Sequence, residues 1–514
     1  AAFVDVSGTY GLSATATWAF CAAVGFVDAD DSPDAVFIQF EVPVSGGAKT
    51  MVRALLGGKQ PKVVTSPFNT ALLYPDGGCA LADLDGDGDG DLLVGGSSGL
   101  AYYAGDGKGG FKDVSAARLP TVLKTKVWSI AIDDFNGDGR LDIFLGSGKQ
   151  PESCSGVTCG HTKADFICAY DKKQADDPFD DDRLLIQQVS GAFVDVTKTW
   201  KPDKGGIATS VASYDLDGDG HPEVLVGDDF GGHRILPNLG GKSFGKPVMA
   251  GFQTYAHAMG WGIGDLNGDG ATDLVVADVG PLLVYAGTPG KPLGPWTGLP
   301  VGHPIAGATW HTSSWVPHVA DLDHDGDLDI YLGVTLFYSG DMGKIMTDCT
   351  GSTDAYGAQD LVMLNDGKFN FTVQTVAKGK CGRVAPLAQS LIDFDGDGDL
   401  DIVQVRADCG FGGGRLRFLR NDLKKAGGSV QVRLIGAKGN HDAIGANLAT
   451  TVGGAKVRRR VIGSVGLGSS GERILHIGLG KAKGTGPITV TWPGGKKTQH
   501  PGLTAGAAVT WKAP

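Results

Sequence analysis

No run of 18 or more apolar residues occurs in the 514-residue chain, so no segment reads as a membrane-spanning helix. Basic residues are outnumbered, 45 Lys and Arg against 57 Asp and Glu, and the formal net charge of −12 argues against a nucleic-acid partner. The 8 cysteines include no C-x-x-C pair. Neither H-E-x-x-H nor a phosphate-binding G-x-x-x-x-G-K-[ST] is present, and "GFGGGR" at 410 follows a strand-like run without opening a helix. These absences leave no reaction class with a motif behind it.

What is present in excess is glycine, 83 residues, and aspartate at alternate positions. In "ADLDGDGDGDLLVGG" (82–96) five carboxylates fall within nine residues and an apolar run follows. Such groups repel one another unless a cation sits among them. The pattern recurs as "DFNGDGRLDIFLG" at 134, "DLDGDGHPEVLVG" at 215, "DLNGDGATDLVVA" at 265, "DLDHDGDLDIYLG" at 321 and "DFDGDGDLDIVQV" at 393. Laid over one another, the copies keep Asp or Asn at positions one, three and five, Gly at six, and Asp or Glu at nine, while position seven varies freely.

That is the pattern of a calcium loop, in which alternate side chains and one backbone carbonyl converge on the ion and glycine makes the sharp turn. The expected ligands, position seven through its carbonyl, are Asp83, Asp85, Asp87, Asp89 and Asp91 in the first loop and Asp134, Asn136, Asp138, Arg140 and Asp142 in the second. They continue as Asp215, Asp217, Asp219, His221 and Glu223, and as Asp265, Asn267, Asp269, Ala271 and Asp273. The last two sets are Asp321, Asp323, Asp325, Asp327 and Asp329, and Asp393, Asp395, Asp397, Asp399 and Asp401. About six Ca²⁺ are therefore expected. No helical pattern flanks the loops, and the last ligand falls at nine rather than twelve, so these are not EF-hands.

Position two is always Leu or Phe, and short apolar runs such as "IFLGS" follow position nine, so each unit reads as strand, loop, strand. A degraded copy, "FVDADDSPDAVFIQF", starts its acidic run at Asp28, lacks the glycine, and is two residues short between that Asp and Asp34; little or no calcium is expected there. With it the units number seven, spaced typically by a little over fifty residues, near the length of a propeller blade. "FKDVS" at 111 and "FVDVT" at 193 read as outer strands of the preceding unit. "FVDVS" at 3 has no preceding unit except the last, so the N-terminus is expected to complete the blade around 393–422 and close the ring.

These repeats resemble the FG-GAP/VCBS propeller repeats of integrin α heads and many bacterial surface proteins. "GNHDAIGANL" at 439, "ILHIGLG" at 474 and "ITVTWPGGK" at 488 are similar to the ASPIC/UnbV domain that follows such repeats in cartilage acidic protein relatives. The departure is "GLGSSGER" before "ILHIGLG", where a longer serine-rich segment is expected. The resemblance implies a secreted calcium-binding protein and assigns no reaction. The expected fold is all-β: a seven-bladed β-propeller over 1–425, with insertions near 150–183 and 336–360, then a small β-sandwich over 426–514. A chain opening on "AAFVDV" fits a mature product whose signal peptide has been removed, and the expected location is secreted, extracellular or at the cell surface.

Cys154, Cys159 and Cys168 lie in the first insertion, with Cys349 and Cys381 in or just after the second. Disulfides suit long loops in an oxidising compartment, with zinc beside His161 the alternative. Cys21 and Cys79 precede loops in neighbouring units and are placed to pair across adjacent inner strands.

Two functions remain. One is a calcium-stabilised recognition or adhesion scaffold whose partner is an extracellular protein or glycan; the other is a lyase-like propeller enzyme acting on polysaccharide at the channel mouth. For the latter, Trp128, His257, Trp261, His311 and Trp315, with His318, are the candidate ligand-binding residues on strands entering the loops. From Ser429 onward twelve Lys and Arg face only Asp442 and Glu472. This basic region is expected to dock on the acidic propeller, or else to turn "KVRRR" outward toward an anionic polymer.

Overall fold

The computed structural model describes the chain apart from residues 1, 11–15, 42–48, 59–61, 68–76, 98, 121–122, 124, 149–181, 203–205, 250, 253–255, 279, 301–302, 310–311, 337–359, 377–385, 408–413 and 472. Strands dominate, and the described helical segments are single short turns such as Ser115–Arg118 and Pro304–Thr309. The second unit sets the pattern: Cys79–Ala82, Asp91–Gly96, Gly99–Gly105 and Phe111–Asp113 pair in sequence order as an antiparallel ladder. Its strand carrying "LLVGG" is buried throughout, as a strand covered on both faces must be.

Comparable ladders cover 16–67, 127–195, 260–298 and 312–375. The unit at 207–257 has three strands in order. Its outermost place is taken by two isolated bridges, Ile235 to Val248 and Asn238 to Phe244, and Ala256–His257 pairs instead with Glu223–Gly231. In the last unit Pro386–Ile392, Asp401–Ala407 and Gly414–Asn421 are completed by the N-terminal Phe3–Asp5, with Phe3 opposite Asn421. The N-terminal return expected from "FVDVS" is present, as are the outer strands at 111 and 193.

Each inner strand packs against that of the next unit, from Ala16–Gly25 through Cys79–Ala82 onward, and Pro386–Ile392 packs back on Ala16–Gly25. Between units the side chains are fully buried: Phe135, Phe144 and Phe244 with Trp200 join the third unit to the fourth, and Phe3 and Tyr331 join the sixth to the seventh. Cys21 and Cys79 form a disulfide across two adjacent inner strands, with Cα atoms 5.2 Å apart. Cys154, Cys159, Cys168, Cys349, Cys381 and His161 lie outside the described residues.

The C-terminal region is two sheets over one core. Ile474–Gly478, Ser429–Ile435 and Ala508–Lys512 form the first, and Ala455–Arg460, Asn447–Val452, Ile488–Thr491 and Lys497–His500 the second. Val432, Leu448, Ile477 and Val490 lie between them. One hairpin leaves this domain altogether. Ser464–Gly466 and Ser469–Ser470 run in among the inner strands, where Gly466 bridges Gly260 and Ser469 bridges Ala22.

Candidate functional site

Every repeated loop folds on the same internal hydrogen bonds. The position-one carboxylate accepts the N–H of the position-six glycine in all six complete copies, from 2.7 Å at Asp134–Gly139 to 3.3 Å at Asp215–Gly220. Those glycines have φ between 85° and 104°, a conformation that costs a side-chain-bearing residue dearly. Position four is left-handed as well, with glycine in five copies and His324 at φ 62° in the sixth. Position five caps the turn by accepting the N–H of position seven, as in Asp219 to His221 at 2.8 Å.

Position nine does a second job. In the first loop Asp91 accepts Leu84 N–H and Gly105 N–H, both at 2.9 Å, tying the loop to the third strand of its unit. Asp142, Glu223, Asp273, Asp329 and Asp401 repeat the two bonds. All six are almost fully buried. Charge confined there is disfavoured: burial pushes Asp91, Glu223 and Asp401 up to about 8 and Asp83, Asp273 and Asp321 to about 7, with Asp442 adding to the effect on Asp83.

Carboxylate oxygens converge in four loops. Those of Asp83, Asp85 and Asp91, of Asp215, Asp217 and Glu223, of Asp321, Asp323 and Asp325, and of Asp393, Asp395 and Asp401 lie within 4.8 Å of one another in each set. In the loops at 134 and 265 position three is an asparagine, so one of the loop's polar side chains is neutral. Asp321, only 2% exposed, keeps Oδ1 without a hydrogen-bond partner, as do Asp85 and Asp265. A buried carboxylate oxygen with no donor can accept a cation, and the donor set fits a hard, oxygen-binding ion.

An FG-GAP-like repeat model matches residues 83–145, 160–226, 215–276 and 265–332, and the ASPIC and UnbV model matches 436–514. The chain is an FG-GAP-repeat protein with a C-terminal ASPIC/UnbV domain. Three of the repeat matches begin on a position-one aspartate. No curated protein matches the chain. Among solved structures, a lectin of Agrocybe aegerita recognising non-reducing terminal N-acetylglucosamine is similar at 17% identity, covering 76% of this chain and 94% of that one with a TM-score of 0.42. The BP39L lectin of Burkholderia pseudomallei aligns at 13% identity over 78% and 98% with a TM-score of 0.43. The biofilm matrix protein Bap1 of V. cholerae aligns at 13% over 97% and 82%, with a TM-score of 0.31.

The ASPIC/UnbV domain covers the loop-bearing face of the FG-GAP repeats. Gln431 Nε2 donates to Asp393 at 2.6 Å, Asp442 accepts Asp83 N–H at 3.0 Å, and Arg458 donates to Gly270 O at 3.1 Å. The Arg460 side chain, 5% exposed, stands 3.7 Å from Asp215 and 3.9 Å from Asp133. Arg459 is drawn to the Asp321 carboxylate. Of the two orientations open to "KVRRR", Arg459 and Arg460 therefore face the propeller-like repeats, and Arg458, though exposed, also reaches them through Gly270 O.

The hairpin at 464–470 lies among the inner strands. Ala22 N–H donates to Gly468 O at 2.9 Å, Val24 N–H to Ser470 Oγ at 2.7 Å and Ser470 N–H to Ser390 Oγ at 3.1 Å, and Ser464, Ser469 and Ser470 are fully buried. Trp261 and His318 border a cavity of about 110 Å³ shared with Arg460 and Val465. Trp261 is closed in by His233 and Phe252. His318 Nε2 lies 2.9 Å from Gln389 O, and burial lowers it to about 4. Trp128 is buried, donating to Gly148 O at 2.7 Å, and Trp315 packs beside Val316 and Val465. His257 Nδ1 sits 2.6 Å from Asp229. None of these three borders the cavity, and His311 lies outside the described residues.

Two features escaped the sequence reading. The serine and glycine of "GSVGLGSSG" look like a solvated loop, and the only signal was that this segment departs from the family pattern. The left-handed position four was visible as a glycine in five copies but was masked by His324.

Proposed function

We propose that the six complete loops bind Ca²⁺, that the seven units form a closed seven-bladed propeller, and that the protein is a secreted or cell-surface scaffold for recognition or adhesion. The observation that carries the reading is the convergence of carboxylates in four of the loops, each set with at least one member buried, with Asp321 and Asp85 oxygens in those sets left without donors. Asp and Asn oxygens at alternate positions suit Ca²⁺, which takes six to eight oxygen ligands in flexible geometry. The disulfide between Cys21 and Cys79 suits an oxidising compartment.

The scaffold reading is favoured over the polysaccharide enzyme because the hairpin at 464–470 fills the space a channel-mouth site needs, and because Trp128 and Trp261 are buried rather than offered to a sugar. What supports the enzyme is the short His257–Asp229 contact, which orients a titratable ring. The partner is an extracellular protein or glycan. A glycan and matrix-protein array probed with and without calcium tests this: calcium-dependent binding supports a scaffold, whereas cleavage of an acidic polysaccharide that His257→Ala abolishes supports the enzyme instead.

A further inference from the structure

The degraded first loop is not short. Asp34 accepts Val27 N–H and Gly57 N–H, both at 2.8 Å, which are the two bonds made by position nine in every complete copy. Asp30 N–H donates to Asp28 at 3.0 Å and Ser32 N–H to Asp30 at 2.7 Å, the bonds that elsewhere join positions five to three and seven to five. The loop therefore has nine residues, with Asp28, Asp30 and Asp34 at three, five and nine. Phe26 stands where the other copies carry the position-one aspartate, and Asp31 where they carry glycine. Aligning Asp28 with the other first aspartates gave the false deletion; the seven-residue spacing from Val27 to Asp34 gives the true register.

Neither change suits a metal ion. Phe26 has no oxygen to offer, and neither Ala29 at position four nor Asp31 at position six takes the left-handed conformation of the complete loops. A different cation is already there. The Arg433 guanidinium lies with Cζ 3.4 Å from the centroid of the Phe26 ring, and Nη1 pairs with Asp31. Burial works against the Arg433 charge, and Asp31, Asp442, Asp30 and Asp34 favour it; its side chain is 13% exposed and that of Asp31 is 85% exposed. Arg433 is delivered by the strand Ser429–Ile435, whose alternate residues face the repeats: Ser429 reaches Gly398 O, Gln431 reaches Asp393, and Arg433 reaches the first unit. Arg460 differs, since it stays 3.7 Å from a position-one aspartate that is present.

We propose that the Arg433 guanidinium is the resident cation of the first unit, so that this loop is an arginine site filled in cis by the ASPIC/UnbV domain and ties that domain to the propeller without calcium. The proposal rests on the calcium reading of the other six loops only for the count of ions. Replacing Phe26 by a carboxylate and both Ala29 and Asp31 by glycine restores the loop chemistry, but the site becomes free for a metal only when the guanidinium is removed too.

The test counts calcium by native mass spectrometry in four full-length chains: wild type, Arg433→Met, Phe26→Asp/Ala29→Gly/Asp31→Gly, and Phe26→Asp/Ala29→Gly/Asp31→Gly/Arg433→Ser. The first three are expected to bind the same number and the last one more. A gain in the triple variant, where Arg433 remains, would overturn the proposal, as would no gain in the quadruple. Arg433→Met is also expected to lower the melting temperature by the same few degrees in calcium and in chelator, because its contribution needs no metal. An unchanged melting temperature in chelator would likewise overturn it, and this second arm holds even if wild type binds no calcium at all.

Discussion

At the scale of single residues, the loops separate two roles that the repeated sequence presents as one. Position nine is read from sequence as a ligand, yet Asp91 also accepts the N–H groups of Leu84, Asp85 and Gly105 and the Tyr102 hydroxyl. Removing it leaves the buried donors among them unpaired, at about 1–3 kcal/mol each. Asp91→Ala is therefore expected to destabilise the protein in chelator as well as in calcium, by melting or denaturant titration. Asp87→Ala, at a position whose visible bond is to the exposed N–H of Asp89, is expected to cost stability only when calcium is present. The buried histidines give a pH dependence. His233 is fully buried with neither ring nitrogen hydrogen-bonded, and burial lowers it to about 4. Between its unfolded value near 6.5 and 4 the unfolded chain binds more protons, so this stability is present above about pH 6.5 and lost as pH falls toward 4, on the order of 3 kcal/mol. In saturating calcium, His233→Phe is expected to flatten the fall in melting temperature across that window. A slope equal to that of wild type would show that other groups set it.

At the scale of elements, what was legible in the sequence was what the chain repeats. Six loops could be compared with one another, so positions one, three, five, six and nine and the outer strands at 111 and 193 stood out, and the unpaired "FVDVS" required a partner that Gly414–Asn421 supplies. The first unit was misread because its most visible feature, an acidic run, is offset by two residues from the hydrogen-bond register that Val27 and Asp34 define. The hairpin at 464–470 was illegible for a different reason: its partners lie far off in sequence, and small residues are needed for backbone to approach backbone. Gly466 has φ 143°, and a Cβ there would sit 2.9 Å from Gly260 Cα. Gly466→Ala is expected to cost about 1–3 kcal/mol through strain and this contact, read as a lower melting temperature and faster proteolysis between the domains. Equal stability would mean that the hairpin is not held among the inner strands.

At the scale of the whole molecule, the loops are what the rest is arranged around. The repeats present buried carboxylates on one face, and the ASPIC/UnbV domain lies over that face with Gln431, Arg433, Arg459 and Arg460 turned toward it. Its basic surplus is in part spent inside the molecule, which is why charge alone could not tell docking from an outward anion-binding strand. Asp442, one of its few acids, sits beside Asp83 and raises the need for a cation there. Divalent cations are proposed to hold this face together. The most direct measurement is calorimetric titration of calcium into chelator-treated protein, followed by melting with and without the ion. Six sites per chain and a higher melting temperature in calcium are the expected result; no heat of binding and the same melting temperature in calcium and chelator would contradict it.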